Sequence, residues 1–387
     1  MEHRFSLVEG GPLYRLARRA GLSSGNRGLA QLGLLLAAVT WLPLAVLNAL
    51  QGAAGDAAVS FTWSLGTHVR FLVTIPLFFL AEAYFGERSR QALDQLVASN
   101  LVRPSDVGAF RAMLARALRW RDSALVEVAL VALTIALILS GVRSDLPNDA
   151  SNWRMTSAGT DERFTAAGWW YIVVSLPVFQ FLCWRWCWRL LIWWVLLGRM
   201  ARLDLRLNAK HPDLAGGLGG LGVAHTDLMP LNFGVSAMLV ATYAEDVLFG
   251  GVELQRLVLP LAGIVLGMTV LAVTPLLFFT PRLVTVKQRG LLEYGVLAAA
   301  YTEEFDAKWL RGGAPPGESL LGTADLQALA DLTNSFEVVR DMRMVPIGLS
   351  QVLLLAAAAI LPMLPLLLTV FPLDELIVRS VKSLIGM

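Results

Sequence analysis

Between Trp169 and Leu197 the chain is almost uninterruptedly apolar, yet it carries two arginines in the middle of the run. Trp169-Trp170-Tyr171-Ile172-Val173-Val174 leads through Cys183-Trp184-Arg185-Trp186-Cys187-Trp188-Arg189 to Trp193-Trp194. About 20 apolar residues suffice to cross a hydrocarbon core. This stretch is too long and too apolar for the surface helix of a soluble domain, so it reads as a membrane span. A charged side chain at bilayer depth is costly, and it marks a functional-site candidate by default.

The remainder of the chain agrees. Of its 387 residues 56% are hydrophobic and only 16% are charged, against roughly 25% charged in a soluble globular domain. The net charge of +2, with no clustered basic face, excludes a nucleic-acid partner. Lysine occurs only at Lys210, Lys287, Lys308 and Lys382, and arginine dominates. That bias points to a GC-rich bacterial genome and hence to a bacterial inner membrane. The only cysteines, Cys183 and Cys187, stand on successive turns of one predicted helix. They cannot frame a disulfide scaffold or a cysteine-based zinc site and read as small packing residues. The first hydrophobic run follows a mostly polar N-terminal tail, residues 1–28, and is longer than the ~7–15 residues of a signal-peptide core. It is expected to remain in the membrane.

Seven hydrophobic segments meet the length requirement: Leu29–Leu50, Val69–Phe85, Ser123–Val142, Trp169–Gly198, Leu228–Leu248, Leu257–Phe279 and Gln351–Phe371. The connections alternate in basic content. The N-terminal tail, Gly86–Asp122, Arg199–Gly222 and Thr280–Ser350 are rich in Arg and Lys, whereas Gln51–Thr67, Arg143–Gly168 and Gly250–Arg256 are poor. The positive-inside rule then places the N-terminus in the cytosol. The fold class expected is all-α: a polytopic transmembrane helix bundle of about seven spans with a small helical cytosolic layer. Residues 29–280 form the bundle, with a helical cytosolic insertion at 86–122. Residues 281–349 form a helical cytosolic segment, and residues 350–387 hold the last span and a short amphipathic helix. In 281–349 the sixth span continues as an amphipathic helix to about Leu310. Gly312-Gly313-Ala314-Pro315-Pro316-Gly317 breaks it, and Ala324–Met342 starts behind Thr323.

Several constellations are candidates for chemistry. Arg185 and Arg189, four apart, share a helix face. If the span is centred, Arg185 lies near mid-membrane. With the orientation above, Glu82, Glu127 and Asp227 fall in the same membrane half, and at least one of them is expected within salt-bridge reach of an arginine. Three readings stay open: a sealed brace, arginines snorkelling to the interface, or the lining of a hydrated path for an anion. On the opposite side His68 and Arg70 open the second span while Glu245 and Asp246 close the fifth. The connection before the fifth span contains Gly217, Gly219 and Gly222, a literal G-x-G-x-x-G. No strand precedes it, so a dinucleotide site is not supported. The glycines read instead as an anion-binding turn at a helix start or as points of tight packing. His211, Asp213, His225 and Asp227 have the ligand types for a divalent metal if the loop brings them together. Otherwise no cofactor is indicated. The run from Glu293 to Trp309 is dense in acids and aromatics and reads as a solvated amphipathic helix.

No serine elbow, Walker motif, H-E-x-x-H or kinase signature is present. Prolines in six of the seven segments, together with the arginine pair, favour a channel or transporter for a small, anionic solute. The alternative is a scaffold or sensor acting through its cytosolic helices, with lipid and either a second copy or a cytosolic protein as partners. A metal-dependent membrane enzyme is the third reading.

Overall fold

The computed structural model describes residues 25–52, 61–144, 153–158 and 161–368, with 10 and 15 besides. Most of the tail 1–28 and the amphipathic helix expected after the last span lie outside the described residues. Among the described residues ten helical runs follow one another: α1 (Asn26–Gly52), α2 (Leu65–Ala98), α3 (Val107–Arg121), α4 (Ala124–Ser144), α5 (Ala166–Met200), α6 (Gly219–Thr226), α7 (Met229–Leu248), α8 (Leu254–Leu310), α9 (Ala324–Asp341) and α10 (Leu349–Leu366). A short hairpin, β1 (Met155–Ala158) with β2 (Asp161–Phe164), precedes α5. The molecule is an all-α helical bundle, and six of its helices are long and apolar enough to cross a membrane: α1, α2, α4, α5, α8 and α10.

α7 is the seventh segment expected to span, and it falls short of those six in apolarity. Its 20 residues are nevertheless long enough, about 30 Å at 1.5 Å per residue. It runs antiparallel to α2, from Gly234 beside Leu77 to Glu245 beside Gly66. The physical reason for its lower apolarity is its central position against α2, α8 and α10. Its polar groups serve helix-to-helix bonds: Asn232 Nδ2 donates to the Leu355 carbonyl at 3.3 Å and Ser236 Oγ to that of Ala359 at 2.5 Å. Thr74 Oγ1 of α2 donates in turn to the Gly234 carbonyl at 2.9 Å. Small residues and hydroxyls at such contacts let helix backbones approach closely where no hydrophobic force distinguishes helix from lipid.

Proline shapes the helices locally. Thr74-Ile75-Pro76 in α2 and Ser175-Leu176-Pro177 in α5 repeat one pattern, and each follows a π-helical turn, Val69–Thr74 and Tyr171–Ser175. Proline lacks the N–H and its ring crowds the carbonyl one turn back, so the preceding turn widens. The freed hydroxyls bond onward, Ser175 Oγ to the Thr40 carbonyl at 2.7 Å. Pro275 and Pro362 lie instead in 3-10 turns, Thr274–Phe279 within α8 and Leu361–Met363 within α10.

α4 is the least buried of the six apolar helices. Its 21 residues are about 31 Å long, close to a core of about 30 Å, and only 11% of its apolar window is buried in the protein. Just before it starts, the Trp120 carbonyl accepts a bond from Trp188 Nε1 at 3.3 Å. That bond sets Trp188 of α5 beside the turn between α3 and α4, and α5 packs against α3.

A carboxylate held between two arginines

The stripe expected on α5 is the buried one. Arg185, Arg189, Ile192 and Leu196 face inward, while Cys187 is exposed. Glu82 of α2 comes up against both arginines. Arg185 Nη1 lies 3.1 Å and Arg189 Nη1 2.5 Å from Oε1, and Arg185 Nη2 donates to Oε2 at 3.4 Å. Exposures of 1% for Glu82, 4% for Arg185 and 5% for Arg189 make this a buried ionic group. Arg185 thus donates one long hydrogen bond to Oε2 and stands at ion-pair distance from Oε1. Phe78 against Trp186 and Phe85 against Trp193 flank it with aromatic rings. Arginine side chains lean toward their helix N-terminus, so Arg189 reaches back along α5 to the carboxylate that Arg185 also meets.

Of the other acids expected near the arginines, Glu127 is engaged and within electrostatic reach of Arg185. Asp227 does not join. It pairs with Arg88 at 3.3 Å, outside the buried group and partly exposed. Burial pushes the Asp227 carboxyl above its ordinary range, and the neighbouring Arg88 offsets only part of that.

The second expected set, at the opposite end, is dispersed among separate bonds. Trp41 Nε1 donates to His68 Nδ1 at 2.9 Å, so His68 Nε2 carries the proton and faces the Phe61 carbonyl at 3.0 Å. Glu245 Oε1 accepts from the Gly66 amide at 2.6 Å. Asp246 contributes its carbonyl, which accepts from the Val252 amide at 3.1 Å in the turn after α7. Arg70 Nη1 donates to the Tyr171 hydroxyl at 2.6 Å, and the Arg154 guanidinium lies 4.5 Å over the Tyr171 ring. The residues that sequence reasoning missed here are Tyr171 and Arg154. The repeated hydroxyl–aliphatic–proline pattern was the available signal, because it places a widened turn in each of the two helices that carry Arg70 and Tyr171.

The four ligand types expected to converge on a metal do not gather. His225 is fully buried: Trp193 Nε1 donates to its Nε2 at 2.9 Å, so Nδ1 carries the proton and donates to the Ala272 carbonyl at 2.5 Å. Burial outside the spans pushes its pKa down to about 4, and it is a neutral structural link. His211 Nδ1 sits 2.8 Å from Asp213, and Asp227 is taken by Arg88. Among the described residues no group of three or more His, Cys, Asp or Glu side chains could hold a metal ion.

The glycine-rich loop does bind an anion, and the anion is its own aspartate. Asp213 accepts from the amides of Ala215 at 2.8 Å, Gly217 at 3.1 Å and Gly219 at 2.7 Å. Burial raises the pKa of this carboxyl, but the three amides and His211 outweigh that and hold it below the ordinary range. Gly217 sits at φ +100°, where a side chain would be strained and would also strike Leu101. At Gly222 a Cβ would come within 2.0 Å of the Pro346 carbonyl. Both expectations for the loop, anion capture and tight packing, describe parts of this knot. Arg343 tightens it further by donating to the Asp213 carbonyl.

Comparison with known proteins gives no family model, no curated protein and no solved structure that matches this chain.

Proposed function

We propose that this protein is a non-transporting membrane scaffold. In this reading the Glu82–Arg185–Arg189 group braces the bundle, and the bundle holds a helical hairpin clear of the membrane as an interaction surface. The single observation that carries it is the hairpin's face. Leu292 and Val296 are each 71% exposed and Leu310 73%, on a helix that continues about 24 Å beyond Tyr294, the last of its residues packed against the core. α9 folds back on α8 and is locked there by the Tyr301 hydroxyl on the Asp325 carbonyl and by Lys308 between Glu318 and Asp325. An apolar stripe on an extramembrane element marks an interaction surface. The buried ionic group supports the same reading, because both guanidinium groups are ion-paired with Glu82 and their charge is partly neutralised within the protein. Orientation with the hairpin in the cytosol of a bacterial cell follows from the arginine bias.

A transporter is the second reading, and a specific observation favours it at the other end. Two π-helical turns meet there, with Arg70 on Tyr171 and the Arg70 Nε atom buried without a hydrogen bond. Such turns recur at functional sites. Reconstitution separates the two readings. Proteoliposomes are expected to show no more chloride, phosphate or carboxylate flux than empty vesicles, and Leu292→Glu with Val296→Glu is expected to alter the size of the assembly in native membranes while leaving unfolding unchanged. Flux that Arg70→Gln abolishes would replace the scaffold by the transporter.

A further inference from the structure

α3 and the hairpin of α8 with α9 leave the bundle at the same end. The loop between α5 and α6 touches both: Gly217 lies against Leu101, ahead of α3, and Gly216 against Leu283 and Met342, at the base of the hairpin. The two elements carry opposite charge. α3 holds four arginines and no acid, whereas residues 291–341 hold nine acids and three bases.

On α3, Arg121 is committed to its neighbour Asp122 at 2.6 Å. Arg111, Arg116 and Arg119 are exposed and have no ion pair among the described residues. At about 100° per residue the three fall within a sector of about 140°, opposite the buried Phe110 and Ala117 that pack inward. That sector otherwise holds only Gly108, Ala112 and Ala115, all exposed, so nothing bulkier than a methyl group keeps a partner helix from the basic face. On α8, Leu292, Val296 and Glu303 are spaced four and seven residues apart and share one face. Glu303 and Glu304 are exposed and likewise have no ion pair among the described residues.

Each surface supplies what the other lacks, and within one chain they do not satisfy each other. Two chains in one membrane present both surfaces on the same side, so the basic face of one can meet the hairpin of the next. Complementary charge steers such an encounter and rejects misaligned ones, while Leu292 and Val296 supply the apolar contact. A homo-oligomer that uses one patch on each neighbour closes by symmetry.

We propose that the Arg111–Arg116–Arg119 face of α3 docks on the Leu292, Val296, Glu303 and Glu304 face of α8 in a second copy of this chain. The inference rests on the scaffold reading and makes the hairpin's partner another molecule of the same protein.

The test is energy transfer between donor- and acceptor-labelled full chains reconstituted together in vesicles of phosphatidylcholine, a lipid without net charge. The natural chain is expected to associate. Arg116→Glu with Arg119→Glu, and separately Glu303→Arg with Glu304→Arg, set like charges against each other, and each is expected to weaken self-association about tenfold or more. Mixing the two variants makes both contacts complementary again. Association between them is expected to return to within about threefold of the natural chain, a recovery that misfolded variants cannot show. Absence of transfer for the natural chain would overturn the second copy and leave the hairpin to a different protein. Failure of the mixture to recover would overturn the pairing of these two faces. The scaffold reading is decided separately, by anion flux and by the effect of Leu292→Glu with Val296→Glu in native membranes.

Discussion

Two carboxylates in this molecule are each surrounded by donors, and they are held in opposite ways. Glu82 is gripped by guanidinium groups from another helix, over a hundred residues away in sequence and wholly out of water. Asp213 is gripped by amides of its own loop within six residues, with its side chain 22% exposed. The first arrangement forms only when α2 and α5 have already packed; the second can form as the loop turns. Removing one partner from a buried charged group leaves the others without compensation in a low-dielectric surrounding. Removing the carboxylate from a local turn leaves three amides of one loop without their acceptor, but no buried charge without its partner.

That contrast sets an order of expected effects. Glu82→Leu leaves two arginines facing each other inside the bundle and is expected to cost about 3–5 kcal/mol, the range for breaking a buried ion pair, read as loss of folded protein in denaturant titration in micelles. His225 stands between the two cases, buried but neutral. Its native pKa of about 4 lies below the ordinary 6.5, so the unfolded chain binds the proton more readily. Stability is therefore full above pH 6.5 and falls as the pH drops toward 4, by up to about 3 kcal/mol at 1.36 kcal/mol per unit. His225→Phe should flatten that part of the pH profile; an unchanged slope would remove His225 from the account. Asp213→Asn is expected to cost about 2 kcal/mol, as hydrogen bonds to a charged acceptor do, and to speed proteolysis in the loop from 201 to 218 before global unfolding. Because the Asp213 pKa is depressed, the aspartate's contribution is present at neutral pH and disappears only in acid, as the pH falls through its lowered value. Arg88→Ala, which removes the half-exposed partner of Asp227, is expected to change stability by less than about 1 kcal/mol. An effect as large as that of Glu82→Leu would mean that this pair is far drier than its exposure indicates.

The same two carboxylates show how much could be read from sequence. The arginine pair announced itself, because i, i+4 spacing in an apolar run has one physical meaning: a shared face with charge in oil. Depth then narrowed the partners to three acids, Glu82 among them, but sequence carries no rotational information between helices, so it could not select Glu82 over Asp227. The spans were legible for the reason that composition is decisive in a membrane. α7 was legible by length and only weakly by apolarity, since a central helix exchanges lipid-facing side chains for Asn232 and Ser236 bonded to neighbouring carbonyls. The depth of Arg185 was not legible, because α5 at 35 residues is longer than a bilayer core requires. The metal reading of His211, Asp213, His225 and Asp227 failed on side-chain direction. A glycine-rich turn whose amides converge will accept any carboxylate in reach, and the nearest was in the loop itself.

The most direct test of the brace is to replace the whole ionic group by apolar side chains. A buried group that serves only packing can be exchanged for hydrocarbon of similar volume with little loss, whereas removing one member cannot. Glu82→Leu combined with Arg185→Met and Arg189→Met is predicted to recover stability to within about 1–2 kcal/mol of the natural chain in the same denaturant titration, while Glu82→Leu alone stays about 3–5 kcal/mol below it. A triple variant as unstable as the single one would contradict the sealed brace and return the arginines to a hydrated site.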